Sequence, residues 1–317
     1  MAMTQEEIQH YCTAIYRIVG ERAVERAEVS PQVIRDYYAQ SAFYYRKVHS
    51  PEGAMHMPIA FAEGASHREK LRYQADYFEC IIRVACRGQV LELGCGMGFN
   101  TQHLANRNPG VHFTGIDLTP GNIDRARQQS RSLANVSFYP DDFDQPRHQP
   151  QRYDLIFAVE TLCHSRDLPK LLLHFTQRLN PGGRMVIFDG YVKPGASALA
   201  TDWEQKAYQL LSWGFALDGF QDLEQVLGAP QLATLHVDPP TEYTANILSN
   251  YRAFYRGAKR ALRFPGVVKF LLRTRLLSPA FVKQLAAGLF GLHFMKRGYL
   301  GYYKLELRAH PQRTASA

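Results

Sequence analysis

The sequence predicts an α/β fold: a doubly wound, mostly parallel sheet of seven strands, with a helical cap before it and a helical lid before its last strand. Three observations predict this. The stretch Val90 to Asn100 runs from a short apolar strand through Gly94, Gly96 and Gly98 into the helical pattern Thr101 to Asn106. Strands then alternate with helical stretches as far as Asp189. The second of these strands, Val111 to Asp117, ends in a carboxylate, at the strand end where open α/β sheets bind ligands. The chain divides on this reading into a cap over 1–70, a ligand-binding core over 71–190, and a lid with the last two strands over 191–317.

Composition narrows the classes. The 317 residues suffice for one full α/β core with an elaboration. Five cysteines form no CxxC pair, which argues against structural zinc or a disulfide framework and fits a reducing cytosol. No run of 18 or more apolar residues is present, and the first residues lack a secretory pattern, so a soluble, cytoplasmic protein is expected. The net charge of +8 is unevenly distributed. From Tyr243 to Leu305 there are 12 Lys or Arg and no Asp or Glu, so the whole positive excess lies in that segment.

Taken in order, residues 4 to 29 put Ile8, Cys12, Ile15 and Val19 at helical spacing, and Ser30-Pro31 reads as the cap of a second helix from Val33 to about Val48. That helix carries Tyr37, Tyr38, Phe43, Tyr44 and Tyr45, which read either as cap packing or as an aromatic wall facing a cation. A turn-rich loop follows over 50–58, with His56 either lining a pocket or lying on the surface. Ser66 to Cys86 forms a helix with Leu71, Ala75, Phe78 and Ile82 on one stripe. Later elements are a third strand at Val136 to Tyr139, a buried fourth at Tyr153 to Val159, and a helix from Asp167 to Leu179. A tight turn at Asn180-Pro-Gly-Gly183 and a fifth strand at Arg184 to Asp189 follow. Beyond them come a helix from Trp203 to Phe215, a sixth strand at Leu232 to Val237 and a seventh at Leu300 to Arg308.

The glycine loop invites a ligand, because glycine tolerates positive φ and lets backbone N–H groups approach closely. It is not the dinucleotide fingerprint, since Phe99 stands where the third glycine belongs. Glu92-x-Gly94-x-Gly96-x-Gly98 resembles the first motif of the class I S-adenosylmethionine-dependent methyltransferases. Gly115 to Arg127 resembles their second motif. Tyr37-Tyr38 before Met55-His56 resembles the region ahead of the core in sterol, tocopherol and prenyl C-methyltransferases, although Pro51-Glu52-Gly53 replaces their Trp-Gly. Ala158-Val-Glu-Thr-Leu-Cys-His-Ser165 is similar to a segment of the sterol C-methyltransferases, and Leu179 to Gly183 fits the same plan.

The resemblance implies a Rossmann-like fold with S-adenosyl-L-methionine as cofactor; no residue is assigned to a metal, and a metal requirement is left open. It implies cofactor contacts from Glu92, Gly94, Gly96, Gly98, Asp117, Leu118, Asp142, Phe143 and Val159. Asp117 would take the ribose, Leu118 would lie against adenine, and Asp142 would accept from the adenine amino group. Glu160, His164 and Tyr38 are the implied catalytic residues, and Tyr37, His56 and Tyr255 the implied substrate contacts. Glu160 and His164 each also read as local structural ties. The implied activity is methylation of a hydrophobic small molecule, at carbon of an isoprenoid or sterol-like lipid. O- or N-methylation of a natural product, and a non-catalytic cofactor-binding protein at a membrane, stay open. The basic segment 243–305 reads as a solvated lid face, a dock for an anionic membrane, or a partner for a substrate phosphate. No nucleic-acid recognition module is present, so no nucleic acid is expected; the oligomeric state is left open.

Overall fold

The computed structural model describes residues 2–44, 49–85, 88–147 and 151–309. Tyr45, Val48 and Cys86 lie outside the described residues, as do the side chains of Phe43 and Tyr44. The chain forms two compact units. One comprises Met1–Phe43, Tyr191–Asp222 and Thr244–Gly301, the other Tyr44–Gly190, Leu223–Tyr243 and Tyr302–Ala317.

The second unit is built on the sheet. Its strands are β1 (Gln89–Leu93), β2 (His112–Asp117), β3 (Val136–Pro140), β4 (Tyr153–Val159), β5 (Leu179–Val192), β6 (Leu235–Val237), β7 (Thr241–Glu242) and β8 (Leu300–Ala309). They run in the order β3-β2-β1-β4-β5-β8-β6, with β7 paired to β8. Thus the seven expected strands are joined by a two-residue eighth. The strands β1 to β5 pair in parallel, whereas β6 and β7 run antiparallel to β8. The order reverses between β1 and β4, which creates a crevice at their carboxyl ends.

Continuous apolar sequence explains these inner strands. Leu91, Leu93, Ile156, Phe157, Val186 and Ile187 are completely buried, as strands covered on both faces require. The helix His67–Ala85 buries its expected stripe, with Phe78 stacked on Phe157 at a ring separation of 4.2 Å. Two expectations need correction. Asn180 to Gly183 lies within β5, at a register irregularity where Asn180 Nδ2 donates to Asp154 at 2.7 Å. The sixth strand is limited to three residues, because Pro230–Leu232 forms a short 3₁₀ turn that Pro at its first position favours.

The first unit is helical. Its opening helix Gln5–Val19 starts with a reciprocal cap in which Thr4 Oγ1 accepts from the Glu7 amide and Glu7 accepts from the Thr4 amide, both at 3.2 Å. Ile8, Cys12 and Ile15 are buried as their spacing predicts. The basic segment forms helices Thr244–Ala261 and Pro265–Arg273, broken at Phe264-Pro265. A further helix, Pro279–Arg297, escapes sequence reading. It is buried nearly all round, with Val282, Ala286, Leu289, Phe290 and Phe294 in the core, so it has no polar face to reveal its period. Gly291 lets it approach its neighbour: a Cβ there would lie 2.9 Å from Tyr251 Cδ1.

Candidate active site

The sheet unit assembles the candidate site at the carboxyl ends of β1, β2 and β4. Gly94, Gly96 and Gly98 all have left-handed φ angles, of 66°, 52° and 79°. The turn also packs tightly, since a Cβ on Gly94 would meet Thr161 Cβ at 2.6 Å. Glycine is therefore required twice over, by dihedral and by space.

Two carboxylates hold this turn from inside. Glu92 is buried; its oxygens accept from Asn100 Nδ2 and the Thr101 amide, both at 3.1 Å, and from Thr101 Oγ1. Burial pushes its carboxyl up to about 7, against these hydrogen bonds. Both Glu92 oxygens thus serve the start of the helix Phe99–Arg107, placing Glu92 behind the turn as a positioning residue. Asp117, at the end of β2, accepts from the Gly96 amide at 3.0 Å and the Thr119 amide at 2.8 Å. It is half-buried, and burial raises its carboxyl above the usual range. A carboxylate has about four acceptor sites, so Asp117 can brace the turn and still receive ligand hydroxyls.

The β3 end joins them through the Asp141 amide, which donates to the Asp117 carbonyl at 3.0 Å. Asp141 is buried and caps the Asp142 and Arg147 amides, whereas Asp142 is half-buried beside Arg166 at 3.3 Å. Leu118 and Phe143 are half-buried and Val159 is buried.

Glu160 follows β4 with a φ of 50°, a conformation that costs a non-glycine residue about 1–3 kcal/mol. Its amide donates to the Phe188 carbonyl at 2.8 Å, which fixes the strained turn. One carboxylate oxygen accepts from the Met57 amide at 2.6 Å and from the Tyr302 hydroxyl at 2.9 Å. The other has no hydrogen bond among the described residues. Burial pushes the carboxyl up to about 8; Met57 and Tyr302 oppose this, and Asp189 adds to it. Tyr302 in turn meets Gln74 Nε2 at 3.5 Å, and that amide also donates to the Met57 carbonyl at 3.0 Å. Gln74, Met57, Tyr302 and Glu160 therefore form one polar network.

Several partners carry no local sequence signal. Tyr302 is 142 positions from Glu160 and reaches it only through sheet pairing. Asp189 is buried and accepts from the Cys163 and Gly190 amides at 2.9 and 2.8 Å, tying down the short turn Leu162–His164 that carries His164. An aromatic row, unlike the one expected on the cap, also borders β5: Phe188, Tyr243, Tyr73 and Phe61 follow one another at ring separations of 5.6, 5.7 and 5.3 Å.

His56 is buried in the same unit, with Nε2 2.8 Å from the Leu71 carbonyl and its ring 5.6 Å from Phe99. Burial lowers its pKa to about 4, and this geometry favours a structural tie over ligand contact. Tyr37, Tyr38 and Tyr255 belong to the helical unit. Tyr37 is buried edge-on to Tyr38 at 5.1 Å, with Lys283 Nζ 5.5 Å from its ring centre; Lys259 Nζ lies 5.3 Å from the Tyr255 ring. Among the described residues, one group of metal-ligating side chains converges, Asp76, Glu79 and His103. Its donors are engaged, Glu79 by Arg83 and Arg107 and Asp76 by His103.

Residues 91–185 match the protein family described as a methyltransferase domain. The chain carries a methyltransferase domain. Over 125 residues it is 32% identical to phosphoethanolamine N-methyltransferase 1 of Zea mays, a match covering 38% of this chain. The chain spans about a quarter of the length of that curated relative. Among solved structures it is similar to a cyclopropane synthase of Mycobacterium tuberculosis, with a TM-score of 0.70, 11% identity and coverage of 87% of this chain and 97% of the other. It is also similar to a geranyl diphosphate C-methyltransferase of Streptomyces coelicolor A3(2), with a TM-score of 0.60, 16% identity and coverage of 87% and 96%. The two structural likenesses establish the Rossmann-like fold. The glycine turn and Asp117 fit the cofactor that the resemblance implies, S-adenosylmethionine: left-handed φ angles hold the turn at the end of β1, and Asp117 retains acceptor capacity beside it.

Proposed function

We propose that this chain transfers a methyl group from S-adenosylmethionine to carbon of a hydrophobic small molecule, an isoprenoid or sterol-like lipid. The observation that carries this reading is Glu160: a carboxylate in a strained strand-end turn, with one oxygen held by Met57 and Tyr302 and the other without a hydrogen bond among the described residues. Bound S-adenosylmethionine supplies an electrophilic methyl group. The chain's own task is to hold the two reactants in line and exclude water. Gly94 to Gly98 would cradle the amino-acid part of the cofactor, Asp117 its ribose and Asp142 its adenine, with Leu118, Phe143 and Val159 as apolar walls.

Methylation of an alkene carbon leaves positive charge on the acceptor. The ring faces of Tyr243 and Tyr73, both half-buried, would stabilise it, in the role that Tyr38 was expected to take. Glu160 would then remove a proton through its unpartnered oxygen, and a carboxyl raised to about 8 is basic enough for that task near neutral pH. His164 would help to place the Glu160 turn.

Glu160→Gln tests the assignment. Binding of S-adenosylhomocysteine by calorimetry should be preserved, while turnover falls by about 10²–10⁴. Turnover at the wild-type rate would remove Glu160 from the mechanism. N- or O-methylation is the second reading, favoured by the similarity to the Zea mays N-methyltransferase. Mass spectrometry of the methylated product from a lipid extract separates the readings: mass gained on a heteroatom supports the second, and retained cofactor binding without any methylated product defeats both.

The acceptor would come from an anionic membrane surface. Phe264, Val267, Phe270 and Leu276 are large apolar residues between 56% and 71% exposed, interleaved with Arg263, Arg273 and Arg275. Among the described residues, no helix is long and apolar enough to cross a membrane, so this contact would be peripheral. Sedimentation with phosphatidylserine vesicles should exceed that with phosphatidylcholine vesicles and weaken with salt or on Phe270→Glu. Equal sedimentation with both would count against the contact.

A further inference from the structure

The helical unit contains a cavity of about 210 Å³ lined by Met3, Arg252, Tyr255, Arg256, Leu292, His293 and Lys296. Three cations line it, and none of them has a carboxylate within ion-pair distance among the described residues. The acids nearest in charge terms are already engaged: Glu204 pairs with Arg297 at 2.7 Å and Glu7 with Lys259 at 3.5 Å.

His293 supplies the more specific observation. It is 3% exposed, and Nδ1 accepts the Met3 amide at 3.0 Å. A ring nitrogen that accepts an N–H cannot carry its own proton, so the proton of the neutral ring sits on Nε2. Burial lowers the His293 pKa to about 4, which keeps the ring neutral near pH 7. Nε2 is sealed from solvent and has no hydrogen-bond partner among the described residues. A buried donor without an acceptor is costly, and His293 lines the same cavity as three cations that have no carboxylate partner among the described residues, which together favour an anionic occupant.

We propose that this cavity binds a phosphate group whose oxygens pair with Arg252, Arg256 and Lys296, beside the His293 ring that lines it. The arginine guanidinium groups present paired donors that match tetrahedral phosphate, and a dianion answers the local charge better than a carboxylate would. The site lies wholly in the helical unit and stands independently of the methyl-transfer reading. The same phosphate chemistry is offered by a soluble phosphate or by the headgroup of a phosphatidic acid.

The test uses the full chain, with the His293 ring nitrogens followed by nitrogen-15 NMR during titration with inorganic phosphate, and separately with short-chain phosphatidic acid below its micelle concentration. Saturable shifts at His293 are expected, absent with chloride at equal ionic strength. Because His293→Phe would also release the Met3 amide, the exposed positions carry the test: Arg252→Gln and Arg256→Gln should each weaken binding by about tenfold or more. Saturation by inorganic phosphate assigns a soluble phosphate, and saturation by the lipid alone assigns a headgroup. Absence of saturation with both ligands, or undiminished binding by both arginine variants, overturns the proposal.

Discussion

Tyr302→Phe probes the Glu160 network without altering the shape of the site. The Tyr302 hydroxyl donates to the same Glu160 oxygen as the Met57 amide and favours the ionised carboxylate against burial. A hydrogen bond to a charged group is worth about 1.5–3 kcal/mol, and one pKa unit corresponds to about 1.4 kcal/mol, so its loss should raise the Glu160 pKa by roughly 1–2 units. The starting value is about 8. If Glu160 acts as the base, wild-type kcat/KM rises with pH until about 8 and then levels off, because only the ionised form accepts a proton. In the variant that rising limb should move upward, so activity at pH 7 falls by about ten- to a hundredfold and recovers at high pH. The assay is a pH profile of kcat/KM for both proteins, with thermal melts to verify folding. A limb that stays in place, with or without loss of maximal rate, would refute the coupling between Tyr302 and Glu160.

Three further outcomes follow from the same geometry. Gly94→Ala combines positive φ with a contact on Thr161 Cβ, so it should cost about 1–3 kcal/mol and lower Tm by several degrees; an unchanged melt would show that the turn relaxes freely. Glu92 has a folded-state pKa of about 7 against an ordinary 4.5, so its contribution to stability is full below pH 4.5 and is lost as pH rises through 7, by up to about 3 kcal/mol. Urea melts across that window should show a steeper decline for wild type than for Glu92→Gln, and parallel slopes would contradict the shift. Asp117→Ala should weaken S-adenosylhomocysteine binding by about tenfold or more in calorimetry, and unchanged heats would free Asp117 from the ribose role.

The glycine loop and the acid at the end of β2 were legible because both are local. Left-handed turns restrict residue choice at fixed offsets, and an acid at a strand end needs no distant partner to be read. The buried stripe of His67–Ala85 and the break at Phe264-Pro265 were equally visible, one as periodicity and the other as missing backbone donor. By contrast, the helix Pro279–Arg297 has no polar face, and β6 is too short to compete with the proline turn before it.

The sequence by itself determined that a strand, a glycine turn and a helix start would build a cradle at Glu92 to Asn100, with Asp117 beside it, since the constraints lie within a few residues of one another. Only the tertiary structure decided that Glu92 faces inward to the helix start, that Tyr302 reaches Glu160 across the sheet, and that His293, tied to the Met3 amide, lines one cavity with Arg252 and Arg256. Those arrangements depend on hydrogen bonds and desolvation between residues far apart in the chain, and no local pattern of residue types encodes which distant donor will meet a given acceptor.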